Sequence, residues 1–385
     1  MMARWTTALG RLLPVLALAL GPVACGPRGG DGSAPPRTAP ASWPMFRGSP
    51  DLRGVAEGSL SDAPGILWTH RVGAGIRSQP SVADGRVIFG ADDGKLRALD
   101  AGVGKLLWEY DMGEATEAAP LLCDGLAIIG DEGGSLHAVD AGTGQGRWRF
   151  AAGDKIVGGA VPLGARAAGT RIIFGSHDEN VRCADAATGE IVWTLQTDGY
   201  VNATPALAEG VVVIGGCDER IRVIDSGSGR EIRSMEAGSY VPVAGALHDG
   251  RFYVGHYGGE ALCIDIASGE TLWRYKSKGG FFSSPAVANG RAVFGGRDKR
   301  VHCIDASTGE MVWGFPTRGH VDASPVICGN RVVAASRDGR VYIIALADGK
   351  EIAALDLGAP ISASPAVAGG TIFVATEDGT LAAVR

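Results

Sequence analysis

The cysteines, the histidines and the acids beside them set what reactive chemistry this 385-residue chain can support. Cys183, Cys263 and Cys303 recur in register along the chain, as do Cys123 and Cys328. Residues in register point the same way from successive copies of a repeat, so they are expected as buried thiols packed like small apolar groups, not as disulfides. Cys217 falls in a turn and is the one thiol expected to be reactive. His320 and Asp322 are spaced for acid–base work, but no nucleophile accompanies them. No Cys/His cluster has zinc spacing, and there is no phosphate loop, H-E-x-x-H or nucleophile elbow. No catalytic, cofactor-binding or metal-ligating residue is assigned.

These side chains must be positioned by a repeat. LDAGVGKLLW (Leu99–Trp108), VDAGTGQGRW (Val139–Trp148), ADAATGEIVW (Ala184–Trp193), IDSGSGREIR (Ile224–Arg233), IDIASGETLW (Ile264–Trp273) and IDASTGEMVW (Ile304–Trp313) are copies of one turn. Their aspartates fall at 100, 140, 185, 225, 265 and 305, steps of 40 with one of 45, and a worn copy follows at Ala345–Ala353. Such a period signals a propeller or a solenoid. Within one unit, Ser78–Gly85, Arg86–Ala91, Lys95–Asp100 and Lys105–Tyr110 read as four short strands joined by Asp/Gly turns, which is one propeller blade. Pro80, Pro120, Pro205, Pro285, Pro325 and Pro365 open the inner strands; Gly245 replaces the proline once and Pro162 is displaced. GARAAGT, residues 164–170, accounts for the longer step as an extended hairpin.

The phases predict the architecture. A fourth-strand segment appears early, at Ile66–Val72, and the chain ends inside a third strand at Leu381–Arg385. The sum is eight sets of four. An open stack would leave bare strand edges at both ends. The sequence therefore predicts an all-β, eight-bladed propeller of four-stranded antiparallel blades over residues 65–385, closed by the N-terminal strand joining the C-terminal blade. Trp68, Trp108, Trp148, Trp193, Trp273 and Trp313 share one position and are read as structural wedges between blades, each worth up to ~4–6 kcal/mol by area. Arg233 and Ala353 interrupt the row, so those two junctions are expected to be looser.

Composition narrows the partners. Forty-five per cent hydrophobic residues with 20% charged ones suit a large globular core. A net charge of −6 without a basic block argues against nucleic acid. At the N-terminus, Arg4 and Arg11 accompany an apolar run, Leu12–Leu20, too short to span a membrane and suited to a secretory signal over residues 1–24. Val23-Ala24-Cys25-Gly26 resembles a bacterial lipobox, although Pro22 stands where that pattern has Leu. Cys25 is thus the expected lipidation site. Residues 25–64 comprise that cysteine, a Gly/Pro-rich tether and a leader, which together hold a soluble body at a membrane.

HAVDAGTGQGRW (His137–Trp148) and, with Cys303 in place of the first Ala, HCIDASTGEMVW (His302–Trp313) follow A-x-D-x-x-T-G-x-x-x-W, which resembles the tryptophan-docking repeat of the PQQ-like propeller superfamily across residues 65–385. Trp43–Gly48, WPMFRG, resembles a leader that precedes many of its bacterial members. The superfamily contains quinoprotein dehydrogenases, which use pyrroloquinoline quinone and calcium, and a non-catalytic BamB-like lipoprotein branch in outer-membrane β-barrel assembly. The dehydrogenases typically stack the quinone on an adjacent-cysteine disulfide, and this chain has no Cys-Cys pair and no C-x-x-C-H haem site. None of their ligands carries over to a matching position.

Variation between repeats concentrates on one face, at the entries to the first strands (Arg77, Glu117, Tyr200, Asn202, Tyr240, Phe281, Phe282, His320, Asp322) and in the second-to-third turns (His256, Tyr257, Arg297, Arg337). Aromatics and arginines there suit a partner-binding face. Tyr200, Tyr240, Phe281 and Phe282 are equally suited to plugging the channel. The reading that results is a monomeric, non-enzymatic, lipid-anchored scaffold in the cell envelope, on the periplasmic side of the outer membrane. It takes a protein partner, with the β-barrel assembly machinery implied by the resemblance, and needs no cofactor. The alternatives are a quinone-dependent dehydrogenase and a glycan- or small-ligand-binding propeller.

Overall fold

The hairpin turns show why the repeat folds as it does. Asp84-Gly85, Asp124-Gly125, Asp249-Gly250 and Asn289-Gly290 take paired positive φ angles, from 49° to 75°. That geometry matches the twist of two adjoining strands. The computed structural model describes residues 42–166 and 169–385, so the expected signal segment, Cys25 and most of the tether lie outside the described residues. Blade 1 is built, from the axis outward, of Ser81–Ala83, Arg86–Gly90, Lys95–Asp100 and Leu106–Asp111. The inner strands of blades 2 to 7 are Leu121–Cys123, Val161–Arg166, Ala206–Ala208, Ala246–His248, Ala286–Ala288 and Val326–Cys328. Blade 8 combines Ala366–Ala368, Thr371–Ala375 and Thr380–Val384 with the early strand Ile66–Arg71 on its outside.

The ring closes as the phases require. Trp68 pairs with Ala383 and His70 with Leu381 in an antiparallel ladder. Gly65 and Arg385 exchange main-chain hydrogen bonds of 2.8 and 2.9 Å. The eight blades are all-β, with no α-helix among the described residues. The extended hairpin lies in blade 3, whose first two strands are six and eight residues long. There Ala160 holds the position of the other prolines, and Pro162 stands inside the inner strand opposite Ile172.

Each repeat tryptophan bridges to the next blade. Its indole Nε1 donates to a turn carbonyl: Trp68 to Ala101, Trp108 to Ala141, Trp148 to Ala186, Trp193 to Ser226, Trp273 to Ala306 and Trp313 to Leu346, at 2.8–3.1 Å. The ring lies flat on that turn's glycine. A Cβ at Gly309 would approach Trp273 to 2.7 Å, and one at Gly104 would approach Trp68 to 2.5 Å, so no other residue fits. The Asp of each turn accepts the N–H groups that follow, as Asp140 does from Gly142 and Thr143.

Arg233 imitates the tryptophan it replaces. Its Nη2 donates to Ala267 O at 2.9 Å and its stem lies over Gly269. The Ala353 interruption has a different cause. Blade 7 faces the third-to-fourth turn of blade 8, and that turn is the seam where Gly65 meets Arg385. No continuous turn is there to receive an indole.

The leader is part of the core. Trp43, Met45 and Leu52 are buried. Main-chain carbonyls of Trp43, Pro44, Pro50, Asp51, Arg53 and Gly54 accept the inner-strand N–H groups of Val82, Leu122, Leu207, Leu247, Val287 and Ile327. Val55–Ala56 then pairs in parallel with Ile327–Cys328. The segment thus runs round the inside of the ring on its lower side. Among the described residues no leader carbonyl reaches the inner strand of blade 3 or blade 8; in blade 3 the equivalent residue is Pro162, which has no N–H to give.

Candidate functional site: the channel mouth

Above the leader the channel is a cup of about 170 Å³. Phe46 lines its base, and all eight blades line its wall at two levels. The lower level is made of small or polar residues, among them Gln79, Thr204, Ser284, Ser324 and Ser364. Several are tied to the neighbouring blade: Thr204 Oγ1 accepts from Gly159 N, Ser324 Oγ from Ser284 N and Ser364 Oγ from Ser324 N, at 2.8–3.0 Å. The upper level contains Arg77, Glu117, Val157, Asn202, Pro242, Phe282, Asp322 and Ser362 in ring order.

The upper rim divides into a charged half and a neutral half. Arg77 binds Asp92 at 2.8 Å, Glu132 at 2.9 Å, and Glu117, while Lys155 reaches Glu132 at 3.5 Å. Burial alone would lower the Arg77 guanidinium, but Asp92 and Glu132 outweigh it and hold it above its ordinary value. Across the ring, Asp322 binds Arg297 at 2.9 Å and Arg337 at 3.8 Å, and Arg337 also binds Glu377 at 2.9 Å. The Arg297 guanidinium carbon sits 3.4 Å above the centre of the Phe282 ring, a cation–π contact. Tyr257 meets the same ring edge-on at 5.6 Å.

The neutral half carries the exposed aromatics. Tyr200, Tyr240 and Tyr257 are 50%, 52% and 59% exposed. Tyr257 N donates to Tyr240 O, and Cys217 N donates to Tyr200 O. Tyr200 stacks on His177 with 5.0 Å between centres and a 9° tilt.

The structure sorts the predicted residues. Arg77, Glu117, Asn202, Phe282 and Asp322 line the cup. Arg297, Arg337, Tyr200, Tyr240 and Tyr257 surround it, and His320 is exposed at the entry to blade 7. Two expected face residues are core. Phe281 is fully buried against Phe294 and His302. Its repeat equivalents, Ile76, Thr116, Ile156, Val201, Val241, Val321 and Ile361, are buried as well, and that register was the missed signal. His256 is also buried, and burial pushes its imidazole below its ordinary value. Phe46 was missed because it belongs to the leader.

The channel plug is the leader, and Tyr200 and Tyr240 stand outside it. His320 and Asp322 are not an acid–base pair: the Asp322 carboxylate is held by two arginines, while His320 lends its carbonyl to Arg337 N. Cys217 is not an activated thiol. Burial and Asp218 push it up, and Asn202 Nδ2 lies 3.1 Å from its sulfur. Cys123 and Cys303 are pushed up to about 12 by burial. The Trp positions are junction fillers, as expected.

Fold and repeat together define a PQQ-like β-propeller. The family model for outer membrane protein assembly factor BamB matches residues 61–154, 132–242, 218–353 and 297–385. The chain belongs to this family. No curated protein matches the sequence. Among solved structures, BamB from Moraxella catarrhalis is similar over 84% of this chain and all of its own, at 20% identity and a TM-score of 0.70. A computationally designed protein, Ika8, aligns over 83% of this chain and 98% of its own, at 19% identity and a TM-score of 0.71. A europium-containing methanol dehydrogenase aligns over 90% of this chain and 98% of its own, at 13% identity and a TM-score of 0.75. At these identities the solved structures attest the fold alone.

The fold family also contains quinone and metal centres, so the cup is tested for both. Its volume of about 170 Å³ is below the roughly 300–1,000 Å³ of sites for drug-sized ligands. Its two carboxylates, Glu117 and Asp322, are each engaged by arginine. Among the described residues, no group of three His, Cys, Asp or Glu is placed to hold a metal ion. These residues do not fit a quinone–metal centre.

Proposed function

We propose that this chain is a non-enzymatic propeller that binds a protein partner through its mouth face, serving outer-membrane β-barrel assembly in the manner of BamB. One observation carries the reading. Three exposed tyrosines on adjoining blades flank a rim of paired charges, around a channel closed from below by the chain's own leader. Exposed aromatics beside arginine are the residues that dominate binding energy at protein interfaces. A closed ring with a docked indole at six of its eight junctions presents them at a reduced ordering cost on association. Membership of the BamB family supplies the partner class. Lipidation at Cys25 holds the scaffold at the membrane, on the periplasmic side of the outer membrane.

The test is cross-linking of the full-length protein in membranes, followed by identification of what is recovered. Barrel-assembly components are expected. Replacing Tyr200, Tyr240 and Tyr257 together by Ala is expected to reduce recovery at least tenfold without unfolding the ring. Undiminished recovery from that triple variant, or no assembly component at all, refutes the reading. Cys25→Ser separates loss of anchoring from loss of the face.

A further inference from the structure

Polar atoms that the fold leaves unpaired gather in the wall of the cup. Gln79 is 2% exposed, and its Nε2 faces Met45 O at 3.4 Å. A carbonyl can only accept, so the amide is fixed with Oε1 as the end that lacks a donor. Asn202 turns its Nδ2 to Cys217 Sγ at 3.1 Å and leaves its Oδ1 unpaired, and Ser362 Oγ has no partner among the described residues. All three residues line the cup. Ser324 Oγ and Ser364 Oγ accept from Ser284 N and Ser324 N, but neither they nor Ser284 give their O–H to an acceptor among the described residues. Buried polar groups in folded proteins are nearly always satisfied. The charges of the rim are satisfied: Arg77 holds Glu117, and Arg297 and Arg337 hold Asp322. The unused set is therefore neutral, with donors and acceptors side by side.

We propose that the cup binds one neutral sugar ring. Hydroxyls on neighbouring carbons each donate and accept, which is what serine hydroxyls beside amide oxygens require. An ion matches half of that set. An ammonium would leave the serine O–H groups unpaired, and a carboxylate would leave the amide oxygens unpaired. The wall is also divided as a sugar is. Ser284, Ser324 and Gln79 belong to blades 6, 7 and 1, and across from them stand Ala119, Val157 and Ala244 of blades 2, 3 and 5, with Phe46 below. The C–H groups of a sugar lie against that apolar side, while its hydroxyls reproduce the bonds of the water they displace. The cup's volume of about 170 Å³ is that of about five or six liquid waters at ~30 Å³ each, which admits one ring and not two. This inference does not rest on the mouth-face reading, because Tyr200, Tyr240 and Tyr257 do not line the cup.

The test is titration of the full-length protein with D-glucose, D-galactose, D-mannose and N-acetyl-D-glucosamine, read by calorimetry and saturation-transfer NMR. At least one of the four is expected to bind saturably, one molecule per chain. The charged relatives D-glucuronate and D-glucosamine are expected to bind at least tenfold more weakly than the best of the four. Gln79→Met with Ser362→Ala is expected to weaken binding at least tenfold. The two oxygens removed have no partner in the protein, so the melting temperature should stay within a few degrees. Ser362→Ala alone, the milder change, is expected to weaken binding at least threefold. Tyr200→Ala, Tyr240→Ala and Tyr257→Ala together are expected to leave it unchanged, whatever they do to partner recovery. The proposal falls if none of the four sugars binds, if the charged relatives bind as tightly, or if both Ser362 variants bind equally well. It also falls if the tyrosine variant abolishes binding. The methyl glycoside of the sugar that binds separates two sources, both consistent with the site: equal affinity supports the end unit of a glycan, and a tenfold loss supports a free sugar.

Discussion

A docking tryptophan works in two ways at once, by burying a large ring and by satisfying a turn carbonyl. Trp313→Ala removes both, together with the bond to Leu346 O at 2.8 Å. It is expected to cost about 3–5 kcal/mol in denaturant unfolding. Arg233→Ala should cost less, because the arginine fills only part of its junction. Ala353→Trp is expected to add no stability, since the seam offers no continuous turn for docking. A gain there as large as the loss at Trp313 would contradict that account. Acid stability belongs to this scale too. Burial alone would raise the Asp178 carboxyl. Arg182, with one bond of 2.9 Å, and Gly153 N, also at 2.9 Å, outweigh it and lower the group to about 2. A depressed carboxyl contributes stability that is complete above its unfolded value of 3.8 and disappears as pH falls towards 2. Asp178→Asn is expected to flatten the fall in stability between those limits, measured as the denaturation midpoint against pH.

Among the elements, the leader has the largest effect on the channel. It converts an open pore into a cup by supplying carbonyls to inner strands of six blades. Hydrogen exchange is expected to show slow amides at Leu122, Leu207, Leu247, Val287 and Ile327. In a chain beginning at residue 65 those amides face an open channel, and their protection should fall by orders of magnitude while the outer strands keep theirs. Equal protection in both chains would mean that the leader is not docked. Arg47 marks how committed the docking is. Its guanidinium is fully buried and donates to Pro285 O at 2.8 Å, and burial pulls it down to about 9. Gly54 is required beside it, since a Cβ there would lie 1.8 Å from Arg47 Nη2. The blades were legible because a turn with Asp, Gly and Trp at fixed spacing states its own geometry. The leader's path was not, because main-chain bonds carry it and these leave no side-chain pattern. Pro162 was its one trace in the sequence, a missing N–H at one of the two blades to which the leader does not bond. Phe281 was misplaced for a related reason. Read next to Phe282 it looks like half of an aromatic pair, whereas in register with Val241 and Val321 it is core.

For the whole molecule the decisive contact is the seam. Every other blade is a continuous stretch of chain, but blade 8 takes its outer strand, Ile66–Arg71, from the far end of the chain and pairs it with Thr380–Val384. The molecule is therefore closed by residues more than three hundred apart in sequence. Closure also locks the leader, whose far end leads directly into that outer strand. Repeat proteins that stay open can lose a terminal unit and keep the rest. A closed ring cannot, because removing one pairing frees two edges and loosens both neighbouring junctions. Deleting residues 380–385 should release Ile66–Arg71, separate Trp68 from Phe373, which now lie 6.0 Å apart, and expose unpaired strands on blade 8. Exposed edges pair with other copies. The truncated chain is thus expected to elute as oligomers and to unfold over a broad range, whereas the intact chain elutes as a monomer with one sharp transition. Deleting only Arg385 removes the reciprocal bond to Gly65 and leaves the ladder, so it should lower the melting temperature by a few degrees without changing the elution volume. A six-residue deletion that stays monomeric and cooperative would show that the ring is held by its junctions alone and that the seam is dispensable.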